Sequence, residues 1–191
     1  PEREEIHTGL IRSLLNLGKD DEAEEAIELA ATLFPESAGV STLRAEFYAK
    51  SGRMDELVAV AEALREQNQE SIPIFKQLLN LYLQAEAFDK VDALYQDLAE
   101  EGKITEMQAH LQVFRILLRS GEPRAARAKL RDAAQLDDEN PELSEAFRDY
   151  YAAQANQAES DQSFRRAVLF WERALQQVPD DAQVQYRLAL A

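Results

Sequence analysis

Apolar residues along this chain recur three and four positions apart, in short bursts. Ile6, Leu10, Leu14 and Leu17 form one burst, and Ala23, Ile27, Ala30 and Phe34 form the next. This spacing places the apolar side chains on one face of an α-helix. No stretch alternates apolar and polar residues for long, and Val and Ile are sparse, so strands are not expected. The bursts come in pairs. They predict helices over about 4–17 with 21–34, 38–51 with 54–68, 72–85 with 88–101, 106–120 with 123–136, and 141–157 with 163–178. Start signals fall at the expected places: Asp20 before an acidic first turn, Ser71 before Ile72-Pro73, Thr105 three residues before Gln108, and Asn140 before Pro141. Gly18, Gly52, Gly102 and Gly121 supply stop signals.

The pairs repeat. Gly18 and Gly52 are 34 residues apart, Glu86 follows after another 34, Gly121 after 35 and Ala155 after 34. Leu14, Tyr48, Tyr82, Leu117 and Tyr151 keep one register, Ala23, Leu57, Val91 and Ala126 a second, and Ala30, Leu64, Leu98 and Ala133 a third. A fixed period of this length is the signature of stacked supersecondary units. The fifth unit breaks phase, because its second helix reaches Ala167 seven residues late. The insertion falls within 156–163, and seven residues is close to two helical turns, so an extended helix is expected rather than a longer loop. After Pro179 comes the opening helix of a sixth unit, 182–191, read as a point of truncation. A start at Pro1 reads the same way, as an excised fragment of a larger protein.

Composition narrows the function classes. Without cysteine there are no disulfides and no thiolate chemistry. No run approaches the ~20 apolar residues of a membrane helix, so direct membrane insertion is not expected. The net charge of −15 disfavours nucleic acid. Charge is uneven, however: the stretch 115–131 is +5, with Arg115, Arg119, Arg124, Arg127, Lys129 and Arg131 against Glu122. The carboxylate runs at 20–25 and 137–140 lack the spacing of a calcium loop and sit where acids favour a helix dipole. His7 and His110 occupy the slot that Phe75 fills in the third unit and read as packing residues. No catalytic group, metal cluster or cofactor loop is present, so the chain is read as a non-enzyme without cofactors.

These units resemble the tetratricopeptide repeat (TPR). Leu10, Leu14, Gly18, Ala23, Ile27, Ala30 and Pro35 stand in its pattern in the first unit. Ala45, Tyr48 and Gly52 do so in the second, Phe75, Tyr82, Tyr95 and Leu98 in the third, and Ala167, Trp171, Ala174 and Pro179 in the last second helix. Leu79 and Phe114 stand where the family prefers a small residue, and looser packing is expected there. The resemblance implies an all-α fold, a right-handed α-solenoid of stacked antiparallel helix pairs. It would be one domain over 1–191, with repeats at about 4–37, 38–71, 72–106, 107–140 and 141–181 and a terminal helix at 182–191.

The resemblance also implies that first helices line a concave face and bind a partner segment there. Spacing then places Arg12, Lys50, Lys76, Asn80, Leu83, Leu111, Arg115, Leu118 and Arg119 on that face, with Glu145, Asp149 and Ala152 in the fifth unit. Basic groups within an acidic protein favour an acidic protein or peptide partner. Arg115 and Arg119, four residues apart, are matched to carboxylates, and Leu83, Leu111 and Leu118 are the apolar anchors. Lys76 and Asn80 copy the opening of the family's two-carboxylate clamp for heat-shock chaperones. Leu111, Pro141 and Glu145 break it, so that clamp is rejected. The basic helix around Arg124, Arg127, Lys129 and Arg131 offers a second docking face, for an acidic partner or for another copy of the chain. The main expectation is therefore a protein-interaction scaffold. The alternative is the TPR region of a bacterial cell-envelope or exopolysaccharide export protein. Compartment stays open between cytoplasm and periplasm.

Overall fold

The computed structural model describes residues 2–67 and 72–191. Among these residues there are eleven helices and no strand: α1 (Glu2–Asn16), α2 (Asp20–Leu33), α3 (Ala38–Lys50), α4 (Met54–Gln67), α5 (Ile72–Gln84), α6 (Phe88–Glu100), α7 (Glu106–Arg119), α8 (Pro123–Leu136), α9 (Pro141–Ser160), α10 (Phe164–Gln177) and α11 (Ala182–Leu190). The cap expected at Ser71 lies outside the described residues. The chain divides into two compact units, Pro1–Val91 and Asp92–Ala191, with the boundary inside α6.

One turn type joins the two helices of every pair. A residue in the left-handed region follows each first helix: Gly18 (φ 67°), Gly52 (69°), Glu86 (53°), Gly121 (79°) and Gln162 (57°). The next amide reaches back five residues, Lys19 to Leu14, Arg53 to Tyr48, Ala87 to Tyr82, Glu122 to Leu117 and Ser163 to Ala158, at 2.7–3.1 Å. This geometry satisfies carbonyls that a helix end would otherwise leave open. Glycine stands at three of the five positions because a left-handed backbone strains a residue that carries Cβ.

In the first unit α1 packs on α2 and α3, α3 on α4, and α4 on α5. Ala23, Ile27, Ala30, Leu57, Ala61 and Tyr82 are wholly buried. In the second unit α7 packs on α8 and α9, and α10 on α9 and α11. Ala126, Leu130, Ala133, Ala167 and Ala174 are wholly buried, and Trp171 is nearly so. Small residues at the recurring second-helix slots let neighbouring helices approach closely, while Ile27, Leu130 and Trp171 fill the gaps between them.

Several expectations are corrected here. The turn of the fifth pair is at Gln162, within the expected 156–163 insertion, and Ala155, which keeps the glycine register, is a buried mid-helix residue. The insertion lengthens α9 to 20 residues, as the two-turn argument requires. Ala158, not Tyr151, takes the slot of Tyr48 and Tyr82. Phe114 is wholly buried. At the start of α2 the cap is Lys19, with no side-chain bond. Thr105 and Gln108 do form a full capping box, and Asn140 caps α9. Ser37 and Asp181 cap α3 and α11, two signals not read from the sequence.

Candidate functional site

In the first unit the expected surface residues sit on α1, α3 and α5. Arg12, Lys50, Lys76 and Asn80 are exposed, and Leu83 is half-buried. Side chains stitch these first helices side by side. The Ser37 hydroxyl bonds Glu4 of α1 while accepting the Val40 amide at 3.1 Å, and Gln77 of α5 donates to Thr42 of α3 at 3.4 Å. Among the described residues Arg12, Lys50 and Lys76 have no carboxylate partner. Glu46, also exposed, is the acid in the same row.

The second helices of this unit treat their charges differently. Glu28 of α2 accepts the Tyr48 hydroxyl at 2.7 Å and pairs with Arg44 at 3.1 Å. One repeat later Glu62 of α4 accepts the Tyr82 hydroxyl at 3.0 Å and pairs with Lys90 at 3.0 Å. Burial works against the Glu62 charge, yet Lys90 and Tyr82 outweigh it and hold its pKa below the usual carboxylate range. Burial, reinforced by Glu62, pushes the Tyr82 phenol up to about 12. Arg53 bonds Glu24 and Glu56, which raise its pKa, and its guanidinium lies 4.7 Å from the Tyr48 ring centre. These ions are part of the packing.

In the second unit the expected residues separate. Leu111 is only 1% exposed, because α7 is covered by both α8 and α9, so it does not serve as an anchor on an open surface. Arg115 bonds Glu142 of α9 at 3.3 Å, so it does not offer a free fork beside Arg119. Arg119 is exposed and Leu118 half-buried. Asp149 and Ala152, expected on the first-helix side, line a cleft of about 390 Å³ between α9 and α11, floored by Trp171. Its charges are internally satisfied. Arg148 donates to Asp149 at 2.6 Å and to Asp181 at 3.1 Å, and Arg187 bonds Glu159 and Asn156. Glu159 also accepts the Trp171 indole N–H at 2.7 Å. Partial burial opposes the Arg148 charge, but Asp149 and then Asp181 raise its pKa above the ordinary value. The Val184 amide chiefly, with Arg148 behind it, lowers that of Asp181. The cleft therefore anchors the cap of α11. It could have been sought by asking which cation faces each helix cap one repeat later.

The remaining candidates resolve simply. The His7 ring stands edge-on to Phe34 at 5.6 Å, and His110 lies between Gln96 at 3.4 Å and Glu106 at 3.9 Å. Among the described residues no three acidic or histidine side chains converge on a metal position, and no helix is long and apolar enough to cross a membrane. Lys129 is bonded to Asp92 at 2.6 Å, which removes it from the basic face of α8.

Helix pairs whose left-handed turns recur after 34, 34 and 35 residues, and after 41 across the lengthened α9, decide the type of fold. It is an all-α helical repeat, and its helix pairs resemble the tetratricopeptide repeat. No family model and no curated protein matches the chain. Solved structures do. A tetratricopeptide repeat protein from Parabacteroides merdae is 12% identical with a TM-score of 0.47, over 99% of this chain and 72% of its own. TTC0263, a TPR protein of Thermus thermophilus, is 21% identical with a TM-score of 0.40, over 98% and 97%. YrrB, another TPR protein, is 15% identical with a TM-score of 0.43, over 94% and 89%.

Proposed function

We propose that this chain is a protein-interaction scaffold that takes an acidic, extended peptide segment on the first helices of its first unit. The observation that carries the reading is the contrast in charge use. Arg12, Lys50 and Lys76 are exposed and unpaired among the described residues, whereas Arg53, Arg115 and Arg148 are bound to acids of the same chain. A cation without an internal partner can exchange water for a ligand carboxylate at no cost in existing bonds. Leu83 lies on the same surface as Asn80 and adds an apolar contact. Helices already fixed by the Glu4–Ser37 and Thr42–Gln77 bonds lose little freedom on binding.

The test is fluorescence anisotropy with a labelled peptide of alternating Glu and Leu. Micromolar binding, about −8 kcal/mol, is expected at low salt. Lys50→Glu/Lys76→Glu should weaken it at least ~10-fold with the helical spectrum unchanged. Equal binding by both proteins, or by neither, refutes the reading.

A further inference from the structure

The solvent-facing sides of α2 and α10 are opposite in composition. Their buried faces match one for one: Ala23 with Ala167, Ile27 with Trp171, Ala30 with Ala174. With those faces aligned, Asp21 of α2 corresponds to Arg165 of α10, Glu22 to Arg166, Glu25 to Leu169 and Leu29 to Arg173. All eight are exposed. Helix α2 carries six acids and no base, and α10 carries three arginines against Glu172.

Much of this charge has no use inside the molecule. Glu22 is held by Lys19, Glu24 by Arg53 and Glu28 by Tyr48. Asp21 and Glu25 have no ion pair among the described residues, and neither do Arg165 and Arg166. The Arg173 guanidinium rests over the Tyr151 and Phe170 rings, about 6 Å from each centre, with no carboxylate partner among the described residues. Apolar side chains stand among these charges: Leu29 is 53% exposed, Leu33 52% and Leu169 56%. The α10 stripe has a leucine at its centre and the α2 stripe has leucines at its C-terminal end, and the two stripes are opposite in sign.

We propose that the chain binds a second copy of itself, with α2 of one molecule packing antiparallel on α10 of another. Antiparallel alignment sets Asp21 and Glu25 against Arg173, Leu29 against Leu169, and Leu33 against the Phe164–Arg165 end. It also opposes the two helix dipoles favourably. The two patches differ, so every contact joins an acidic face to a basic one. A contact of one helix on one helix is small, so association depends on concentration. Its charged half weakens in salt, because screening sets in at about 10 Å in 0.1 M salt.

Sedimentation velocity tests this. The wild-type average mass should rise above 21.6 kDa with concentration at low salt and return towards it at about 0.5 M salt. Arg165→Glu/Arg173→Glu and Asp21→Arg/Glu25→Arg should each stay monomeric alone, because their α2 and α10 faces then repel. Mixed together they should associate again, since opposite faces are restored. Wild type that stays at 21.6 kDa at every concentration overturns the proposal, whether or not the α10 face then takes RNA or anionic vesicles. So does either variant that associates alone as wild type does, or a folded pair that fails to associate on mixing.

Discussion

Raising the pH should undo one specific joint of the first unit, the Tyr82–Glu62 bond. Tyr82 is wholly buried, and its hydroxyl donates to Glu62 at 3.0 Å. Ionising it would place a second negative charge beside a carboxylate in a desolvated position, so its folded pKa is pushed up to about 12 from an ordinary value near 10. The folded state therefore holds this proton more tightly than the unfolded chain. The associated stability is complete below about pH 10 and is lost as pH rises through the folded value. A pKa difference of about 2 corresponds to about 3 kcal/mol, of which about 1.4 kcal/mol is gone by pH 11. Tyr82→Phe keeps the ring, removes the proton, and leaves Glu62 to Lys90 and, at longer range, Arg65. It should cost about 1 kcal/mol near pH 8, the worth of an ordinary hydrogen bond. By about pH 11 the variant should equal or exceed wild type. Urea unfolding followed by helical circular dichroism at several pH values gives the difference directly. Tyrosinate absorbance should show one phenol titrating near 12 in wild type and absent from the variant. A stability difference that stays flat from pH 8 to 11 would refute the reasoning, since the buried phenol would then titrate like a solvated one.

Other joints give shorter tests. Gln162 holds the left-handed position that Gly18, Gly52 and Gly121 fill elsewhere, so Gln162→Gly should stabilise by about 0.5–1 kcal/mol in urea unfolding. Gly52→Ala should destabilise by about 1–2 kcal/mol on conformational grounds alone, because an added Cβ meets nothing within 4 Å. Asp181→Ala removes both the α11 cap and the partner of Arg148, and should cost about 1 kcal/mol, with amide exchange rising first in α11. The lowered Asp181 pKa has the opposite sign from that of Tyr82. Its stabilisation is present above the ordinary Asp value of 3.8 and is lost as pH falls through the lower folded value, so acid should loosen the end of the second unit. Glu159→Ala leaves the single tryptophan's indole N–H without its acceptor, and should lower stability by about 1–3 kcal/mol, read by Trp171 fluorescence during unfolding.

The repeat was legible in the sequence because each turn places several demands on the chain at one fixed spacing. A left-handed residue, a carbonyl acceptor five positions before its donor amide, and a small buried residue in the next helix all recur together. The fifth pair shows where such reading fails. Seven added residues advance a helix by about 10 Å but rotate it almost back to its starting direction. The α9 pattern therefore continued through Tyr151 and Ala155 without a break; the late Ala167 placed the extra residues within 156–163, but Gln162, a residue with no glycine signal, did not mark the turn itself. The candidate surface was less legible for a different reason. Spacing assigns a residue to a face but does not say what covers that face or what pairs with its charge. Leu111 and Lys76 share a slot, yet one is buried under α8 and α9 and the other meets water. Arg115 and Arg119 read alike until Glu142, 27 residues further on, takes one of them. Which cation is consumed depends on an acid one repeat away, so the useful question to put to a repeat sequence pairs each charge with the cap and first turn of the following unit. Applied to this chain, it links Arg148 with Asp181 and Arg115 with Glu142. It leaves Arg12, Lys50, Lys76 and Arg119 as the cations to mutate first.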